Sequence, residues 1–487
     1  MSFSFVDWSI LTVYLFLVFY LGILGRKYIK KSADFLVANR TVGPCMGTIS
    51  LLGAEIGILS FAYFAEMGFL YGYTAFVAGL IPPAVYFFLG KTGFVIKRFC
   101  ELELVTVPQY FEKRYGRNVR ILTGILMAVG GVLNFGVFPI IEATFLNILT
   151  GIPQAYIIGT MSFLLTMVLL YTALGGMISV LLTSYVQYIV KVMGMILISL
   201  YCFDIVGWSR MVEAVTNRMG ESGFNPFKHP SFGVSFILWQ VLSWLAALTT
   251  WAPVVARLFS SENAEVGQKV FRWTGWLFLG RSMLPFIWGI AALAYVGTAK
   301  VIAIQAMPLF LKDILPTGIK GLIVAAMLAA SMSTNSSYLL AWSSVISQDV
   351  VIPLMRRPVS AKMDLIINQI TVVVLAVFII VWGLFYVIPG ATYFYLFMTA
   401  NIFLAGTFWA LVGGLYWRRA HRIGAYSSLI LGASCTLFYF FIPNPQEWSS
   451  FIGMASYVLA FVGMVAGSLV GTAPRSLIHV AAGPRES

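Results

Sequence analysis

Charge is scarce in this chain: Asp, Glu, Lys and Arg make up 10% of its 487 residues, and His occurs three times. Soluble globular domains carry about 25% charged residues, so an ordinary water-soluble fold is excluded. The four cysteines, Cys45, Cys100, Cys202 and Cys435, show no CxxC spacing, and His229, His421 and His479 form no pair at metal-ligand spacing. A disulfide framework, a zinc site and a thiol redox centre are not expected from them. No low-complexity tract or linker interrupts the chain, and the longest polar stretches, residues 27–44, 98–118 and 207–229, leave no room for soluble catalytic machinery. Gly90-Lys91-Thr92 resembles the end of a phosphate-binding loop, but the position that motif reserves for its first glycine is Val85. With no nucleophile–base or metal constellation, an enzyme is not expected. Met1 to Asp7 contains no Lys or Arg, so the first apolar run lacks the basic flank of a cleaved signal peptide and is expected to stay in the protein.

What is abundant is apolar surface. Hydrophobic residues make up 60% of the chain, and mean hydropathy is +0.90. At roughly 20 apolar residues per span, about thirteen transmembrane helices are expected. They begin near residues 6, 44, 72, 119, 154, 177, 231, 273, 318, 364, 391, 423 and 449, which makes residues 1–487 one all-α polytopic membrane domain. Basic residues cluster after the first span (Arg26, Lys27, Lys30, Lys31, Arg40), from Lys91 to Arg120, and after the eleventh span (Arg418, Arg419, Arg422). The positive-inside rule then places the N-terminus outside and the C-terminus in the cytoplasm. The net charge of +13 follows from the same asymmetry, so the lipid bilayer is the expected partner and nucleic acid is not. No obligate protein partner is evident, and the uninterrupted chain suits a bacterial inner membrane.

Two spans contain helix breakers at mid-depth. In span 2, Gly53-Ala54-Glu55-Ile56-Gly57 sets a carboxylate between two glycines; in span 7, Thr249-Thr250-Trp251-Ala252-Pro253 removes a backbone donor. Five spans separate the breaks, and because five is odd the two segments would run in opposite senses. Paired interruptions of this kind point to an inverted-repeat transporter site at the membrane midplane. Span 9 carries Met332-Ser333-Thr334-Asn335-Ser336-Ser337, a hydroxyl cluster where a bilayer tolerates few polar groups. Such a cluster either bonds to neighbouring backbone as helix glue or, with a carbonyl freed near Ala330, supplies oxygen ligands to a hard cation. Glu55 is either a structural acceptor at its own break, a cation contact or a proton carrier. Arg281, one turn before Pro285, is either structurally paired or the partner of a carboxylate-bearing solute. Lys191 reads as a snorkelling or structurally paired lysine. Among the aromatics near the breaks, Trp251 is a candidate solute contact.

Four segments, in order, resemble the sodium:solute symporter family: Asp34-Phe35-Leu36-Val37-Ala38-Asn39-Arg40; Val107-Pro108-Gln109-Tyr110-Phe111-Glu112-Lys113-Arg114-Tyr115-Gly116; Tyr171-Thr172-Ala173-Leu174-Gly175-Gly176 with Thr183 and Gln187; and Met332-Ser333-Thr334 through Ser343-Ser344 to Asp349. The resemblance implies a LeuT-type 5+5 inverted-repeat core, with repeats at 43–206 and 231–417, an added first span and loop at 1–42 and two further spans at 418–487. It implies Na⁺ as the coupling ion of a small-solute importer, held by the carbonyls of Gly53, Ile56 and Ala330 and the hydroxyls of Ser333 and Thr334. Glu55, Arg281, Thr249, Trp251, Ser184, Gln187, Ser336 and Ser337 are the implied substrate or coupling residues. Where many relatives have Thr-Asp in span 6, this chain has Thr183-Ser184, so one Na⁺ is expected where some members bind two. An organic anion is the expected solute, because Arg281 needs a reason for its depth. Proton coupling, uniport and a non-transporting sensor on the same fold are the alternatives.

Overall fold

In a bilayer every backbone N–H and C=O must be satisfied within its own segment, so these apolar runs become helices. The computed structural model describes residues 3–24, 27, 40–102, 104–297, 301–355, 358–388, 390–443 and 445–471. The Asp34–Asn39 part of the first motif and Arg26, Lys30 and Lys31 lie outside the described residues. The bundle consists of α1 (Phe5–Leu24), α2 (Pro44–Glu55), α3 (Ile58–Tyr71), α4 (Phe76–Thr92), α5 (Val107–Tyr115), α6 (Arg117–Phe135), α7 (Phe138–Thr150) and α8 (Ile157–Ile205). It continues with α9 (Val234–Thr250), α10 (Ala252–Ser260), α11 (Ala264–Val296), α12 (Ile319–Val345), α13 (Ala361–Phe385), α14 (Thr392–Tyr416), α15 (Arg422–Phe438) and α16 (Pro445–Val470). Shorter helices at Ile96–Glu101, Trp208–Met219 and Ala303–Ile314 connect them. The described residues contain no strand, only a single backbone bridge between Val42 and Ser261.

Among the described residues ten helices are long and apolar enough to cross a membrane, or eleven when the bent pair α9 and α10 forms one span, against the expected thirteen. The difference arises where helical runs join. Ile58–Thr92 is one run of 35 residues, about 52 Å if straight against a hydrocarbon layer of about 30 Å. Gly72, at φ 60° and ψ −142°, turns the chain inside it. The 49-residue α8 is likewise broken at Gly176 (φ 47°, ψ −141°), a conformation open to glycine and strained for other residues. The apolar stretch before that break, Gln154–Leu170, falls below spanning length.

Burial separates the core from the lipid-facing rim. An apolar 18-residue window within Ile319–Leu354 is 94% buried and one within α14 78%, whereas those of α1 and α13 are 28% and 33% buried. α12 is therefore the axis of the molecule, and its hydroxyls face protein. Where α3 crosses α11, glycine permits backbone contact: a Cβ on Gly289 would stand 1.9 Å from the Ala65 carbonyl oxygen, and one on Gly68 2.2 Å from that of Phe286.

The Val107–Gly116 motif anchors the far end of this axis. Tyr115 donates to the Ala410 carbonyl at 2.8 Å and Arg114 Nε to that of Gly414 at 3.2 Å, tying α5 to α14. Arg120 Nε bonds Asp349 Oδ1 at 2.9 Å, its Nη1 meets Glu112, and Thr106 donates to the same Asp349 oxygen at 2.8 Å. Asp349 is fully buried, and breaking a buried pair by removing one partner costs about 3–5 kcal/mol. Asp349→Ala is accordingly expected to lower the melting temperature of the detergent-purified protein by several degrees, and Asp349→Asn, which retains an acceptor for Thr106, by less.

Candidate functional site

α2 ends at Glu55 because Ile56 leaves helical geometry (φ −91°, ψ 87°), and α3 resumes after an extended Gly57. The restart is capped locally: the Gly57 N–H donates to Ser60 Oγ at 3.0 Å. The carbonyls that follow Leu52 at the end of α2 have no helical partner and form the negative end of its dipole, so they attract cations. Two basic side chains meet them. Arg281 of α11 donates to the Glu55 carbonyl from Nε at 3.2 Å and Nη2 at 2.8 Å. Lys191 of α8 donates from Nζ to the Gly53 carbonyl at 3.0 Å and the Ile56 carbonyl at 3.2 Å. Ser333 Oγ reaches the same Gly53 carbonyl at 2.8 Å.

The second break falls at Trp251 (φ −67°, ψ 114°), where α9 stops and α10 departs at 47°. Pro253 fits in the first turn of α10, where its missing N–H would have had no helical partner. Thr249 and Thr250 bond back to their own turn, at 2.8 Å to the Leu245 carbonyl and 2.7 Å to that of Ala246. Trp251 Nε1 donates to the Tyr338 hydroxyl at 3.2 Å, and its ring stacks on Phe403. Arg257 donates from Nη1 to the Pro253 carbonyl at 3.0 Å and from Nη2 to Ser337 Oγ.

Helical spacing divides the polar residues of α12 into three stripes. Ser331 and Asn335 both donate to Glu142 Oε2 of α7, at 2.6 and 2.8 Å. Ser333 and Ser337 face the two breaks, meeting Gly53 and Arg257. Thr334 and Tyr338 line a cavity. Ser336 only bonds back to the Ser333 carbonyl at 3.1 Å, as helix glue does.

That cavity lies between the two breaks and offers about 100 Å³ to the centres of water-sized molecules, room for roughly seven to ten waters. Its walls are largely apolar and include the aromatic rings of Tyr63, Phe138, Trp244 and Tyr393. Four residues expected from the sequence, Glu55, Trp251, Arg281 and Thr334, line it; Thr249, Ser184, Gln187, Ser333, Ser336 and Ser337 do not. Glu55 Oε1, Arg281 Nη1 and Thr334 Oγ1 are buried there with no hydrogen-bond partner among the described residues. Arg281 Nη2 and Glu55 Oε2 stand 4.0 Å apart, and the guanidinium carbon lies 4.2 Å from the Phe278 ring centroid. Ser184 is turned back to the Val180 carbonyl at 2.6 Å, and Gln187 is buried with both polar atoms unpartnered among the described residues.

A sodium:solute symporter model matches residues 35–432. The chain belongs to the sodium:solute symporter family. Within it, the chain is 24% identical over 423 residues to a sodium/mannose cotransporter of Bos taurus, covering 76% of this chain and 68% of the relative. It is 24% identical over 396 residues to an osmoregulated proline transporter of Bacillus subtilis, covering 76% and 75%. A solved Na⁺-coupled sialic acid symporter in a substrate-bound, outward-open state superposes with a TM-score of 0.81 at 19% identity, covering 97% of this chain and all of the other. The fold is thus the LeuT-type helical fold, and the chain is a multi-pass membrane protein of a transporter family, not an enzyme. Na⁺ is the coupling ion of that family.

The residues of this chain do not fit a free Na⁺ at the expected ligands. The carbonyls of Gly53 and Ile56 point to one place, but the Lys191 ammonium already bridges them. A second unit charge about 4 Å from it is repelled by about 4 kcal/mol at an effective dielectric of 20. Ala330 and Thr334 are buried on α12 beside Ser333, and no hydrogen bond joins them to that ammonium. Lys191 does not snorkel, since it is 0% exposed. The pattern of acids and hydroxyls in the sequence indicates neither the contact of Lys191 with the carbonyls of Gly53 and Ile56 nor the places of Arg257, Tyr338 and Glu142. A signal for the first was present: Ser184, Gln187 and Lys191 follow i, i+3, i+7 spacing on one helical face.

Proposed function

We propose that this chain is a secondary transporter that imports a small organic solute bearing a carboxylate, by alternating access about the cavity between the two helix breaks. In this reading the breaks belong to two repeats of opposite sense, 43–206 and 231–417, with the N-terminus outside. The observation that carries it is the pair of buried atoms in one cavity, Arg281 Nη1 and Glu55 Oε1, that have no hydrogen-bond partner among the described residues. Buried polar groups without partners are costly, and a bound solute satisfies both. Two nitrogens of Arg281, Nε and Nη2, are committed to holding the Glu55 carbonyl, which leaves the third, Nη1, to form a charge-assisted bond to a carboxylate. Glu55 beside it accepts from a donor on the same solute, such as an ammonium group. A zwitterion therefore suits this site better than the simple anion expected from Arg281 alone, because Glu55 already stands 4.0 Å from the guanidinium, and a neutral sugar brings no charged group to either atom. The aromatic walls enclose the apolar part of the solute.

The test is uptake by the full chain reconstituted in proteoliposomes, under imposed sodium and proton gradients, from a panel of amino acids, monocarboxylates and neutral hexoses. Concentrative uptake confined to carboxylate-bearing solutes is expected. Uptake of hexoses alone would overturn the assignment of the solute, and absence of uptake for every class under every gradient would favour the non-transporting reading.

A further inference from the structure

We propose that Lys191 is a tethered cation that takes the place of Na⁺ at the carbonyls of Gly53 and Ile56, so that this chain binds no free ion there. Three observations converge on it. The ammonium is fully buried, and its hydrogen bonds go to the two carbonyls that the break in α2 releases. Among the described residues no carboxylate lies within ion-pair distance of it, so its charge is met by carbonyl oxygens and the helix dipole, the surroundings that suit a bound alkali cation. The site is also closed around it: Ser333 donates to the Gly53 carbonyl, and a Cβ on Gly53 would stand 3.0 Å from Ser333 Oγ and 3.3 Å from Ser184 Oγ.

The family resemblance also implies a second sodium position of some members at Ser336 and Ser337, completed by an acid where this chain has Ser184, and that position is treated in the same way. Ser337 accepts from the buried guanidinium of Arg257, and residue 184, where an acid would favour a mobile cation, is a serine bonded to its own helix. The chain thus places one of its own basic side chains at each of the two positions and omits the acid. An ammonium of fixed reach sits at the junction of α2, α8 and α12, and it can stabilise only those arrangements of the three helices in which both carbonyls stay within reach of α8. A free ion enters and leaves with the gradient; Lys191 cannot.

This inference rests on the transporter reading above, yet its test reads ion binding and not uptake, so the two fail separately. Radiolabelled Na⁺ bound per chain is measured on the detergent-purified full-length protein, together with melting temperature in NaCl against KCl at constant ionic strength. The wild type is expected to show no Na⁺ binding that Ser333→Ala removes. Lys191→Ala is expected to gain one Na⁺ per chain and a sodium-specific rise in melting temperature, both lost again in Lys191→Ala/Ser333→Ala. Should Lys191→Ala not fold, Lys191→Ser carries the same comparison, with a hydroxyl in place of the ammonium. Equal Na⁺ counts in wild type and the folded Lys191 variant would reduce Lys191 to a helix cap and overturn the proposal. A wild-type ion that disappears in Ser333→Ala would overturn it without any Lys191 variant.

Discussion

Arg281→Gln is expected to abolish measurable uptake of the carboxylate-bearing solute while leaving a folded protein. Truncating one partner of a buried, hydrogen-bonded charge pair costs about 2–5 kcal/mol, which is a loss of about thirty- to several-thousand-fold in affinity. Glutamine retains one donor for the Glu55 carbonyl, now held by Nε and Nη2, so the end of α2 stays capped in part. It loses the Nη1 donor and the positive charge over the Phe278 ring. Arg281→Lys separates the two roles: a single ammonium cannot at once hold the Glu55 carbonyl and present a second planar donor to the cavity. Lysine is therefore expected to keep the melting temperature near wild type and still lose uptake. Melting temperature in detergent and concentration-dependent uptake, measured on the same preparations, check both statements. Wild-type uptake by Arg281→Gln would show that the guanidinium serves only the helix end.

Glu142→Leu is the second large effect. Glu142 is 0% exposed and receives Ser331 at 2.6 Å and Asn335 at 2.8 Å from the central helix α12. Leucine fills the space and removes the acceptor, leaving those donors buried without it, at about 1–3 kcal/mol for each group left unpaired. Glu142→Gln keeps an acceptor oxygen in place and is expected to cost less. The consequence extends to the cavity. Ser331 and Asn335 fix the rotation of α12, and Thr334 and Tyr338 line the cavity from the adjoining face of the same helix. Glu142→Leu should lower the melting temperature markedly and raise the solute concentration needed for half-maximal uptake, whereas Glu142→Gln should shift both only slightly.

The sequence by itself determined the features that depend on neighbours along the chain. Scarce charge and long apolar runs dictate helices in a bilayer, and the breaks, at Ile56 and Trp251, fall within the two segments that glycine and proline mark in the sequence. The span count agreed less well, because hydropathy cannot tell one bent helical run from two, and turns such as Gly72 and Gly176 rest on single backbone angles. Within the hydroxyl cluster, sequence showed that oxygens gather on α12 but not what each one faces. Ser336 bonds its own helix, Ser333 meets Gly53, and Ser337 meets Arg257.

Tertiary structure alone decided which groups satisfy the two breaks. Lys191 is 138 residues from Gly53 along the chain, and Arg281 is 226 from Glu55. A break frees carbonyls by a local rule, and which cation answers them depends on which distant helix packs across the gap and which of its faces turns inward. The oxygens expected to hold Na⁺ were legible in the sequence as oxygens. That an ammonium of the same chain lies on them became visible only once α8 was folded against α2.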